Sequence, residues 1–113
     1  MNRRTVVRFP VFSGYEVRVI LSANPVRTAA RLGAGSDYCV ACFIPADPGA
    51  PFPVAYLILP LAPDEGTIAH ECAHAVRAIF KRAGVRNDDE AFAYHLDYLV
   101  GRVHKFLGRV KRA

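Results

Sequence analysis

Between Pro60 and Asp64 the character of the chain changes from strand-like segments to a long hydrophobic period of about 3.6. Beyond the change, Asp64 is placed to cap a helix, and Gly84 to close it. Inside that helix Ile68, Cys72, Ala75 and Ile79, with Ala69, Ala73, Val76 and Phe80, fall three and four apart. A second helix is predicted from Asn87 to about Leu107, with Phe92, Leu96, Leu99, Val103, Phe106 and Val110 on its apolar side. Before the change the pattern is that of strands, over residues 4–9 and 15–21, with Pro10 and Ser13-Gly14 between them. Asn24-Pro25 then opens a short helix that carries Val26, Ala29 and Ala30 and stops at Gly33 and Gly35. Tyr38–Ile44 and Val54–Leu59 read as an antiparallel hairpin around the proline-rich segment 45–53, and Pro60 and Pro63 end the sheet. The class predicted is α+β, a small antiparallel sheet with a short helix followed by two long packed helices.

At 113 residues the chain has room for one domain, 1–113, and no linker or repeat divides it. Its 52% hydrophobic and 22% charged residues exclude a disordered or collagen-like chain. No apolar run approaches the roughly 18 residues of a membrane helix. The basic start Met1-Asn2-Arg3-Arg4 leads into alternating apolar and charged residues, unlike a signal peptide. Three cysteines are too few for a disulfide framework. The expectation is a soluble cytoplasmic protein without membrane contact. Its net charge of +5 permits a nucleic-acid or acidic partner without demanding one.

The chemistry is concentrated in Gly66-Thr67-Ile68-Ala69-His70-Glu71-Cys72-Ala73-His74. On a helix, residues four apart differ by about 40° in direction and about 6 Å in height, so His70 and His74 can converge on one Zn²⁺. Glu71 stands about 100° round from His70, where it flanks the ion and suits the base for a metal-activated water. Catalytic zinc takes three protein ligands and leaves one position open. Glu90, sixteen residues after His74 and beside the small Ala91 and Ala93, is the candidate third ligand. Asn87 and Glu90 also have capping-box spacing, and Asp88 and Asp89 suit the positive end of a helix dipole. The strand ahead of the motif offers an edge for an extended substrate.

His70-Glu71-x-x-His74 followed by Glu90-Ala91-Phe92-Ala93-Tyr94 resembles the gluzincin metallopeptidases, whose third zinc ligand is a glutamate on a later helix. The short form, with Ala55–Pro60 leading into Gly66–Glu71, is similar to the small minigluzincin proteins, many of them encoded by bacteriophages or prophages. The resemblance covers roughly residues 41–100. It implies a zincin-type fold and a zinc site of His70, His74 and Glu90. Glu71 would be the general base of a peptidase acting on a peptide or protein substrate in a bacterial host cytoplasm.

Tyr94 shares the helix face of Glu90 and is a candidate for stabilising an oxyanion, or else packs between the two helices. Asp97, on the same face, is placed to hydrogen-bond the outer nitrogen of His70 or His74, or to stand as an ordinary charge. His95 points about 140° from Glu90, and His104 lies about 21 Å further along the helix, too far to join. Cys39-Val40-Ala41-Cys42 has knuckle spacing but no second pair, and core packing is favoured. Arg102, Lys105, Arg109 and Arg112 form a basic stripe, a solvated face or a track for phosphates. Two further functions compete with the peptidase: a catalytically silent zincin-like binding or inhibitory protein, and a basic nucleic-acid binder.

Overall fold

A computed structural model of the chain describes residues 3–10, 12, 14–33, 41–86 and 88–112. The elements in order are β1 (Arg3–Arg8), β2 (Glu16–Ser22), α1 (Pro25–Arg31), β3 (Cys42–Ile44), β4 (Val54–Pro60), α2 (Glu65–Ala83) and α3 (Asp89–Arg112). The fold is α+β, with one four-stranded sheet in the order β1-β2-β4-β3.

The sheet is mixed rather than antiparallel throughout. β1 pairs antiparallel with β2, and β3 antiparallel with β4, but β2 and β4 run parallel, with Val19 beside Leu57 and Leu21 beside Leu59. Parallel neighbours need a crossover, and the segment containing α1 supplies it. The predicted β3–β4 hairpin is present over Cys42–Ile44, whereas residues 38–40, with Cys39, lie outside the described residues. β4 is an inner strand, so Leu57, Ile58 and Leu59 are all buried and its sequence is apolar without alternation. Its edges are therefore taken, and β3, not the strand leading into the motif, is the sheet edge beside α2.

One face of the sheet carries Val7, Val17, Val19, Leu21, Ala55, Leu57 and Leu59. Against it pack Ile68, Cys72, Ala75, Val76, Ile79 and Phe80 of α2 and Leu99, Val103 and Phe106 of α3. Ile20 and Ile58 are side by side on the other face, covered by α1, whose Ala29 is fully buried. There Ser22 and Thr28 share a buried hydroxyl hydrogen bond of 2.7 Å.

The helix limits follow from local chemistry. Asn24 Oδ1 accepts from Arg27 N, with Pro25 in the first turn of α1. Asp64 Oδ1 accepts from Thr67 N at 2.7 Å and opens α2. Gly84 ends it at φ +70°, a left-handed conformation that lets Val85 N donate to Phe80 O. α3 opens at Asp88, whose Oδ1 accepts from Glu90 N and Ala91 N. Asn87, read as the helix start, lies outside the described residues, and α3 continues past Leu107 to Arg112.

Candidate metal centre

α2 turns its apolar arc to the sheet, so the residues opposite that arc form an outward crest. His70 and His74 sit on this crest, and the His70 side chain is 69% exposed. Their Nε2 atoms are 3.1 Å apart and their rings are nearly perpendicular, at 82°. Nitrogens at that spacing, each bonded to an ion at about 2.05 Å, subtend about 98° at it, close to the tetrahedral angle. The same distance allows one Nε2–H to donate to the other ring, which holds the pair in a chelating arrangement.

Glu71 lies on the shoulder between crest and core. It is only 8% exposed, and its Oε1 stands 3.9 Å from His70 Nε2. No other ion pair reaches Glu71 among the described residues. The next residue, Cys72, is fully buried, and burial together with the Glu71 charge pushes its thiol up to about 12. As expected from its direction on the helix, Cys72 is a core residue.

Glu90 does not stand with the histidines. Among the described residues no group of three or more His, Cys, Asp or Glu is assembled that would hold a metal ion. The reason is the offset of the helix pair. α2 runs nine residues beyond His74, to Ala83, before the chain turns back. Phe92 then meets Phe80 edge-on and lies under the Arg77 guanidinium, so the first turn of α3 is beside the last turns of α2. About 9 Å of helix axis separates Phe80 from His74. Glu90 precedes Phe92 and is exposed, and the capping of α3 falls to Asp88.

Two other residues differ from expectation. Tyr94 is 72% exposed, in edge contact with His95, and does not pack between the helices. Asp97 is exposed and makes no hydrogen bond to either histidine among the described residues. His95 is held in an aromatic cluster by Phe9, Phe12, Phe80 and Tyr94, with Nδ1 on Ala91 O at 2.8 Å. His104 is exposed on the far half of α3, clear of the crest.

What flanks the crest leaves no signature in residue spacing. Arg82 donates to Asp47 O, Pro48 O and Ala50 O, at 3.1, 3.4 and 2.7 Å, and ties the proline-rich β3–β4 loop to α2. Backbone acceptors more than thirty residues away leave no pattern in side-chain types. Between this loop and α2 is a groove of about 640 Å³, lined by Tyr15, Pro45, Ala46, Pro48, Ala78, Lys81 and Arg82. Ala78, one turn beyond His74 and about 40° toward the Glu71 side, is the lining residue nearest in sequence to the histidine pair. Burial raises the Tyr15 hydroxyl above its ordinary value, against an opposing pull from Arg82.

Compared with protein-family models, curated proteins and solved structures, the chain matches none of them. No helix among the described residues is long and apolar enough to cross a membrane.

Proposed function

We propose that the chain is a zinc-dependent hydrolase of peptide bonds, with His70, His74 and Glu90 as metal ligands and Glu71 as general base. One observation carries this: two imidazole nitrogens 3.1 Å apart on one helix, with the little-exposed Glu71 placing its Oε1 3.9 Å from His70 Nε2. Zinc, when bound, would supply a Lewis acid and bring the pKa of water toward about 7. Glu71 would take a proton from the attacking water and return it to the leaving amine. In this proposal Glu90 is recruited by movement of the α2–α3 connection. Every described residue from Lys81 to Glu90 is exposed, but Phe92, packed on Phe80 and under Arg77, would have to shift with the start of α3. Tyr94, one turn later, would arrive with it and offer its hydroxyl to the oxyanion. The groove beside Ala78 would receive one side of an extended substrate.

A second function, binding without turnover on the same scaffold, is favoured by one feature: the crest is open, with no third donor in place among the described residues. The two separate in an assay of zinc-loaded protein on casein and a fluorogenic peptide mixture. The hydrolase predicts cleavage that falls 10²–10⁴-fold in Glu71→Gln, with zinc content unchanged. Absence of cleavage by fully zinc-loaded wild type overturns it in favour of the silent scaffold.

A further inference from the structure

Away from the histidines, the fold joins two segments that contain no acidic residue, 1–15 and 98–113, and these hold eight of the chain's 15 lysines and arginines. α3 crosses β1 near its own end, where Arg109 reaches Thr5 Oγ1 at 3.5 Å. Two shallow concavities meet at Arg109. One, of about 450 Å³, is lined by Gly101, His104, Lys105, Gly108, Arg109 and Arg112. The other, of about 290 Å³, is lined by Arg3, Arg4, Phe106, Arg109 and Val110. None of Arg3, Arg4, Lys105, Arg109 and Arg112 forms an ion pair among the described residues.

The glycines add a second observation. Gly101 and Gly108 are seven apart on one face of α3, where glycine weakens a helix relative to alanine. A Cβ at Gly101 would meet nothing within 4 Å, and one at Gly108 only the end of Arg112, at 3.8 Å. Packing does not require either glycine. Together they leave a smooth strip of helix bordered by cations.

We infer that this groove binds the sugar–phosphate backbone of a nucleic-acid duplex, independently of the metal centre. The five cations that line it, Arg3, Arg4, Lys105, Arg109 and Arg112, are enough to meet four to five phosphates. A lipid surface is disfavoured because adsorption needs exposed apolar groups among the cations. Phe106 is buried here, and the exposed large hydrophobics Phe52, Leu61, Val85 and Tyr94 are outside both concavities.

The test is fluorescence anisotropy with a 20-base-pair duplex, as DNA and as RNA, between 50 and 200 mM salt, with poly-glutamate as competing polyanion. Contact with four to five phosphates predicts a log–log salt slope near −4, a loss of roughly 250-fold in affinity across that range. Arg109→Ala and Arg112→Ala should each reduce the slope by about 0.9, while Arg31→Ala, on α1, leaves it unchanged. Gly108→Ala should raise the melting temperature yet weaken duplex binding, a pairing that a purely structural role would not give. Preference for DNA or RNA identifies the source of the backbone. No binding at 50 mM salt, equal effects of Arg31→Ala and Arg109→Ala, or tighter binding of poly-glutamate than of either duplex would overturn the proposal.

Discussion

Replacing His95 by phenylalanine should leave the fold at least as stable as it is, although the position carries a hydrogen bond. The imidazole is ringed by Phe12 at 5.1 Å, Phe80 at 5.4 Å, Tyr94 at 5.6 Å and Phe9 at 5.9 Å between centroids. Its Nδ1 is bonded to Ala91 O, but its Nε2 is buried with no partner among the described residues. An orphaned buried polar atom costs about 1–3 kcal/mol, whereas the Nδ1–H bond contributes about 0.5–1.5 kcal/mol. Phenylalanine removes both and keeps a ring in the cluster, for a net gain of roughly 1 kcal/mol. For a chain of this length that is a rise of about 4–6 °C in melting temperature. Thermal unfolding followed by circular dichroism at pH 8 measures it, with His95→Leu as a smaller apolar control. A fall of several degrees in both variants would refute the reasoning, because it would require a partner for Nε2.

Two further outcomes follow from charge and burial. Hydrogen bonds from Thr67 hold Asp64 below its usual range, and the bond from Arg8 does the same for Glu16. Both groups therefore contribute stability that is complete above the ordinary carboxylate range, near pH 4, and is lost as pH falls through their lowered values. Urea midpoints from pH 7 to 2.5 should drop on acidification, and less steeply in Asp64→Asn; an identical pH profile in that variant contradicts the assignment. Cys72, with its thiol pushed up to about 12, should stay unmodified by maleimide in the native state and react once urea unfolds the chain. Labelling of native Cys72 as fast as Cys42 would contradict its burial.

Much of the helical half was legible because its signals are local. Asp64, Gly84 and the apolar positions of α2 act through neighbours within one or two turns, and each stands where the pattern puts it. The parallel pairing of β2 with β4 was not legible, since alternation marks a strand but not the direction of its partner. The candidate site divides in the same way. His70 and His74 are four apart on one helix, and helix geometry alone brings their nitrogens together. Glu90 is on another helix, and its position depends on the offset set by Phe80, Phe92 and Arg77, which residue spacing does not encode. The environment of His95 is equally non-local, because Phe9 and Phe12 reach it from the other end of the chain.

The most direct measurement is calorimetric titration of metal-free protein with Zn²⁺, for wild type, His74→Ala and Glu90→Gln, with circular dichroism to verify the fold of each. One ion per wild-type chain is predicted, with binding abolished in His74→Ala and weakened at least tenfold in Glu90→Gln. A wild-type chain that takes up no zinc would contradict the metal centre itself, and equal affinity in Glu90→Gln would remove Glu90 as its third ligand.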